Sequence, residues 1–242
     1  MEYLKFILYG LIQGFTEFIP VSSTAHLKVI SLFLGIEDPG PSLSAIIQIG
    51  SVFAIFWYFR EDIFKLNRRK QNLQIKSFFN NRLLNSIFIG TVPFILFGSL
   101  IKIFLPSFFD NILRSNLSIA IISLLMAFLM YISDISKNRC INIKNHKLID
   151  SLLIGISQAF AVIPGVSRSG ITISTALLSG WERKEAAKYS FLLGIPAISL
   201  AAIVEFLFSM NKLSSFNIYP LLVGLITTFI TSLLSIDFLL KY

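Results

Sequence analysis

Residues 10–26 read GLIQGFTEFIPVSSTAH, and residues 155–171 read GISQAFAVIPGVSRSGI. Laid over each other without a gap, 145 positions apart, they match at Gly10/Gly155, Gln13/Gln158, Phe15/Phe160, Val21/Val166 and Ser22/Ser167. Each is a short apolar stretch broken by a proline and a serine-rich cluster, with more apolar sequence beyond it. Inside a bilayer, the backbone of such a break must be satisfied by protein or by a water-filled cavity. A duplicated break therefore points to a buried polar site between two repeats.

The rest of the chain supports a bilayer setting. Of its 242 residues, 55% are apolar and 14% charged, and the mean hydropathy is +0.75, outside the range of soluble domains. That length accommodates roughly five or six spans of about 20 residues with their loops. The net charge of +8 is unevenly spread. Arg60, Lys65, Arg68, Arg69, Lys70, Lys76 and Arg82 crowd one loop, and Lys137, Arg139, Lys144 and Lys147 another. This is the positive-inside bias of cytoplasmic loops, and it argues against nucleic acid as a partner. The lone Cys140 excludes an intramolecular disulfide. Tyr3–Ile12 has the length of a signal-peptide core, but no small-x-small cleavage site follows.

The expected fold is an all-α polytopic membrane protein in one domain. Tyr3–Ile12 and Leu27–Ile36 are each too short to span and read as a re-entrant pair about the Pro20-Val21-Ser22-Ser23 turn. Full spans are expected at Ser42–Phe59, Leu83–Leu105 and Leu117–Ser133. Ser151–Ile163 and Ile171–Leu178 form a second short pair, followed by spans at Tyr189–Phe208 and Tyr219–Leu240. Trp181 to Lys188 (WERKEAAK) reads as an amphipathic interfacial turn. Repeat one thus covers residues 1–133, a basic loop 134–150, and repeat two 151–242. With both basic loops inside, the two pairs enter from opposite faces, which makes an inverted-topology repeat. The repeats are unequal, with three full spans in the first and two in the second.

Within the first break, Gln13 and Glu17 lie four apart on one helical face. Ser22, Ser23 and Thr24 follow Pro20, and His26 begins the outgoing half-helix. A carboxylate in hydrocarbon is costly unless paired or metal-bound, so Glu17 is either a partner to a buried cation or a catalytic or metal-binding group. The hydroxyl run also suits a helix cap. In the second break, glycines flank Ser167-Arg168-Ser169, and Thr172 follows. Free amides at a helix start suit an oxyanion, and Arg168 adds a fork of donors matched to phosphate. Gln48 and Glu205 lie within spans, where they either line a cavity or hydrogen-bond helix to helix. Lys102 and Asp237 can snorkel from span ends, and His146 in its basic loop is assigned no role. No Walker loop, HExxH or cysteine cluster occurs.

These residues resemble the bacterial undecaprenyl-diphosphate phosphatases of the bacitracin-resistance type. The signatures stand as Gln13 to Glu17, as Pro20-Val21-Ser22-Ser23-Thr24-Ala25-His26, and as Pro164 through Thr172. The likeness extends over nearly the whole chain, including the Gln48 span and the Phe191-Leu192-Leu193-Gly194-Ile195-Pro196 segment. Two departures stand out: Gln13 replaces one carboxylate of a Glu/Gln-x-x-x-Glu pair, and Ala25 stands where the family often has Gly. Members usually continue beyond the position of Tyr242 into one more hydrophobic span.

The resemblance implies hydrolysis of a C55 polyprenyl diphosphate to the monophosphate and inorganic phosphate, renewing the lipid carrier for cell-wall polymers. It implies a catalytic set of Glu17, Ser23, His26 and Arg168. Ser22, Thr24, Ser167, Ser169 and Thr172 would bind phosphate, while Gln13, Gln48 and Gln158 would line the cavity. Glu17 would hold a divalent cation, Mg2+ or Ca2+, or activate the nucleophile. Ser23 is the favoured nucleophile with His26 as its base, and water oriented by His26 and Glu17 is the other route. The location implied is the bacterial inner membrane with the cleft on its outer face; a homodimer is left open. A lipid-phosphate flippase or ion-coupled transporter is the rival reading, because inverted repeats with broken helices are usual there.

Overall fold

The computed structural model describes residues 2–61, 82–136, 139–213 and 217–241. Among these residues there are nine helices longer than two turns and no strand. They are α1 (Glu2–Phe18), α2 (Ser23–Leu34), α3 (Gly40–Tyr58), α4 (Arg82–Phe104), α5 (Asn116–Ile135), α6 (Leu148–Ala159), α7 (Arg168–Leu178), α8 (Arg183–Leu213) and α9 (Ile218–Lys241). Short helical turns occupy Pro106–Phe108, Phe109–Leu113 and Phe160–Val162.

Five helices, α3, α4, α5, α8 and α9, are long and apolar enough to cross a membrane. They coincide with the five expected spans. Exposed Phe88, Phe104, Leu124 and Phe128 on α4 and α5 present apolar side chains outward, as a lipid-facing surface must. By contrast, 56% of the spanning window of α8 is buried, against 17% for α4 or α5. α8 is therefore the central helix. Around it, Phe18, Ile55, Ile154, Trp181, Tyr189, Phe191, Leu193 and Ile236 are fully buried in one core.

The first short pair differs from expectation. α1 does not stop at Ile12 but runs unbroken to Phe18. Its polar residues bond within the helix: Thr16 Oγ1 donates to the Ile12 carbonyl at 2.6 Å, and Gln13 Nε2 to Glu17 Oε2 at 2.7 Å. The chain turns only over residues 19–22, around Pro20. The second pair follows expectation more closely. α6 tightens into a 3-10 turn, and Gly165, at φ +98°, bends the chain toward α7. That φ is costly for any side chain other than glycine.

Helix pairs meet backbone to backbone. A Cβ on Gly10 would lie 2.6 Å from the Gly224 carbonyl oxygen, and one on Gly155 would lie 2.5 Å from Gly90 Cα. Hence α1 lies along α9, and α6 along α4. Small residues permit such approach, and packing rather than hydrophobicity drives helix association in lipid. The α1–α9 seam is also hydrogen-bonded: Thr231 Oγ1 donates to the Gly10 carbonyl and Ser235 Oγ to the Gly14 carbonyl, at 3.2 and 3.1 Å. The Ser51 and Ser232 hydroxyls of α3 and α9 also bond, at 2.8 Å.

Trp181 and His146 correct the reading of the basic loops. Trp181 is fully buried, and Arg183 to Lys188 form the first turns of α8 rather than an interfacial turn. His146, only 1% exposed, lies 5.3 Å from the Trp181 ring and 5.8 Å from the Tyr189 ring. Its Nδ1 bonds the Ile143 carbonyl and its Nε2 the Ser86 hydroxyl. It pins the loop before α6 onto α4 and α8. The side chains of Lys102 and Glu205, and Lys65, Arg68, Arg69, Lys70, Lys76 and Lys137, lie outside the described residues.

Candidate active site

Each break ends in a serine that caps the following helix, and the two caps are nearly superposable in conformation. Ser22 (φ −79°, ψ 112°) accepts from the Ala25 amide, and Ser167 (φ −79°, ψ 118°) from the Gly170 amide. A side-chain oxygen at this position satisfies one of the unpaired amides of a helix start. The matched residues of the duplicated motif thus do the same structural work. The next residue differs: Ser23 opens α2 and Arg168 opens α7, at matching positions of the alignment.

The two breaks touch. Arg168 Nη2 lies 3.6 Å from Glu17 Oε1, with both side chains nearly excluded from solvent. The same Nη2 donates to the Glu17 carbonyl at 3.4 Å, and Nη1 donates to the Ser190 carbonyl on α8 at 3.2 Å. Ser169 Oγ donates to the Ile19 carbonyl in the turn after α1. Glu17, held by Gln13 on its other oxygen, is 7% exposed. A charge removed from water needs both a counter-charge and hydrogen bonds to its remaining lone pairs, and Glu17 has both. Thr172 completes the cluster, with its Oγ1 within 2.6 Å of Ser190 Oγ and donating to the Arg168 carbonyl at 2.8 Å.

The remaining candidates sit around this cluster in different ways. Ser23 and Thr24 are half-buried. His26 is exposed and makes no hydrogen bond to Glu17; its Nδ1 lies 2.8 Å from the Ser22 carbonyl. A carbonyl only accepts, so Nδ1 carries the proton and Nε2 of the neutral ring is left as a base. Gln48 is half-buried on α3 and adds no hydrogen bond to the cluster. Gln158 is fully buried with neither amide atom hydrogen-bonded among the described residues. Val162 stands in register with Glu17 in the second copy, so this glutamine lacks the carboxylate that holds Gln13.

Two residues of the cluster, Ser190 and Gly194, four apart on α8, have no site role in the sequence reading, although Gly194 lies in the 191–196 segment of family likeness. Nothing in the SFLLG stretch distinguishes them from ordinary small residues of a span. A groove of about 620 Å³ lies elsewhere, against Gly50, Phe53, Phe56, Trp57, Arg60, Leu225, Ile226 and Phe229. It is an apolar trough between α3 and α9, without any member of the Glu17–Arg168 cluster.

Fold and cluster together define a multi-pass helical membrane protein in which a guanidinium, a carboxylate and several hydroxyls meet among the helices. Residues 6–242 match the model of the BacA family, described as bacitracin resistance protein BacA, and the chain belongs to that family. It is 69% identical over 242 residues to an undecaprenyl-diphosphatase of Prochlorococcus marinus (strain MIT 9301), covering all of this chain and 91% of that protein. It is 68% identical to the undecaprenyl-diphosphatase of strain AS9601, covering 100% of this chain and 88% of the relative. An undecaprenyl-diphosphatase of strain NATL2A is 44% identical over 250 residues, with 98% of this chain and 87% of the relative covered.

Proposed function

We propose that this chain hydrolyses undecaprenyl diphosphate to undecaprenyl phosphate and inorganic phosphate. The observation that carries the reading is the meeting of Arg168 with Glu17 across the two breaks. It joins a planar cation suited to phosphate to a carboxylate held in place, within a chain whose relatives carry the name of that activity. The substrate brings its own anionic head, which takes over the guanidinium from Glu17.

In this reading Arg168, with Ser167, Ser169 and Thr172, clamps the phosphates and stabilises charge in the transition state. Ser23 attacks the terminal phosphorus, and His26 Nε2 takes its proton. Undecaprenyl phosphate leaves, and water then attacks the phosphoserine, releasing inorganic phosphate and regenerating the Ser23 hydroxyl. Attack by water directly on phosphorus uses the same base. Among the described residues no group of three or more His, Cys, Asp or Glu side chains is placed to hold a metal. The donor set fits a divalent cation in one way: Glu17 as the single protein carboxylate, with phosphate oxygens and water supplying the rest, a style suited to Mg2+. Such an ion would neutralise charge on the transferred phosphoryl group.

The two halves form an inverted repeat, each opening with a re-entrant helix pair. The equal serine caps support this, as does the exchange of packing in which α1 lies along α9 while α6 lies along α4. With the basic loops in the cytoplasm, the chain sits in the bacterial inner membrane and its cleft faces outward.

Purified protein in detergent is given undecaprenyl diphosphate, and phosphate release is followed. Release that Arg168→Ala lowers by at least about 10³-fold, and that chelation abolishes, supports the reading. A folded sample that releases none, while moving labelled lipid across liposomes, overturns it in favour of a carrier.

A further inference from the structure

The guanidinium of Arg168 occupies a space that one glycine leaves open. An added Cβ on Gly194 would lie 2.1 Å from Arg168 Nη1, 2.7 Å from Cζ and 3.3 Å from Nη2, and these are the three nearest atoms it would meet. The contrast with the seam glycines is informative. At Gly155 and Gly10 a Cβ would strike backbone, so those residues serve helix packing. At Gly194 it would strike only the tip of a flexible side chain. Nor does the backbone require glycine there, because the positive-φ glycines among the described residues are Gly35, Gly40, Gly165 and Gly180. Position 194 lies inside α8, where alanine is the better helix former.

One turn earlier on the same face, the Ser190 carbonyl accepts from Arg168 Nη1, and the Ser190 hydroxyl bonds Thr172 Oγ1. Residues four apart on a helix stack over one another. α8 therefore offers the arginine a fixed acceptor and, a turn away, an open notch.

We propose that Ser190 and Gly194 are positioning residues for the reaction: they form a seat on α8 that sets where the Arg168 fork stands relative to the bound phosphates. The inference rests on the phosphatase reading above. Any side chain at 194 drives the fork off α8 toward Glu17 while leaving the helices in place. A displacement of about 1 Å at a catalytic group can cost about a hundredfold in rate.

The test is a double-variant cycle on the full chain in detergent, with phosphate release from undecaprenyl diphosphate and thermal unfolding both measured. Gly194→Ala is expected to unfold at the wild-type temperature and to lose about 10²-fold in kcat/KM. Added to Arg168→Ala, whose residual turnover is followed over hours, it should cost less than about 3-fold, because the atoms it displaces are gone. Full activity in Gly194→Ala, or an equal loss in both backgrounds, overturns the seat while leaving the phosphatase reading intact. If Gly194→Ala fails to fold, the double variant must fold; if it too fails, backbone rather than guanidinium fills the space, and the proposal is wrong. An inactive wild type overturns both readings.

Discussion

The two breaks share a cap and differ in the residue that follows it. After Ser22 the chain places a hydroxyl, Ser23; after Ser167 it places the Arg168 guanidinium. Their approaches differ too. α1 reaches its break as a regular helix with Gln13 and Glu17 locked together, whereas α6 tightens into a 3-10 turn and needs Gly165 to bend. One structural device has thus been kept twice and loaded with opposite chemistry, an anionic and hydroxylic half against a cationic one. On the proposed reading a lipid diphosphate needs both loads at a single point, and a symmetric pair of identical breaks would not supply them.

The largest effect should come from the cationic half. Arg168→Ala is expected to lower kcat/KM for undecaprenyl diphosphate by at least about 10³-fold. Glu17→Gln should cost about 10²- to 10³-fold, measured by the same phosphate release. The comparison breaks if the charge-exchanged double variant, Glu17→Arg with Arg168→Glu, works well. That variant keeps an ion pair but reverses which half holds the phosphate, and it is expected to fold and remain inactive. Ser23→Ala sharpens the contrast at the matched position. Loss of about 10²-fold or more, with no phosphate trapped on the protein, marks the serine as nucleophile, and retained turnover assigns the attack to water.

The caps should behave alike. Ser22→Ala and Ser167→Ala each remove one side-chain acceptor from a helix start, at about 1 kcal/mol, read as similar falls in unfolding temperature. Unequal falls would mean that the equal geometry hides unequal strain. The smallest effect concerns the loop that supports the second half. Burial, with Arg82 nearby and opposed by the Ile143 carbonyl, holds the His146 imidazole below its ordinary pKa. The unfolded chain then takes up a proton that the folded one resists, so this contribution is full above about pH 6.5 and is lost as pH falls through that value. The unfolding temperature of the wild type should drop more between about pH 7.5 and about pH 5.5 than that of His146→Asn.

Much of this architecture was legible in the chain because lipid imposes simple rules. The five spans announce themselves as apolar runs, and the two breaks as the places where such runs are interrupted twice in the same way. The encounter of Glu17 with Arg168 follows from those interruptions, since each buried charge needs the other. Local pattern misled where partners lie far away in sequence. The apolar stretch Tyr3–Ile12 looked short, yet α1 continues to Phe18 because the polar Gln13 and Thr16 bond within their own helix. His146 and Trp181 looked like surface residues amid cations, and each is covered by the other and by Tyr189. His26 read as part of the buried cluster but is exposed. Gly194 carried no local signal, because what makes it matter is an arginine 26 positions earlier.

The glycine seam between α1 and α9 sets an order of events for a ribosome threading this chain into a bilayer. α1 is made first and α9 last among the described helices, and α1 cannot find its closest neighbour until nearly all the rest has emerged. Glu17 can meet Arg168 of α7 before then, but the helix that carries it still lacks the surface against which it packs. A nascent chain halted before α9 would leave α1 short of that surface, and the meeting of Glu17 with Arg168 less firmly held.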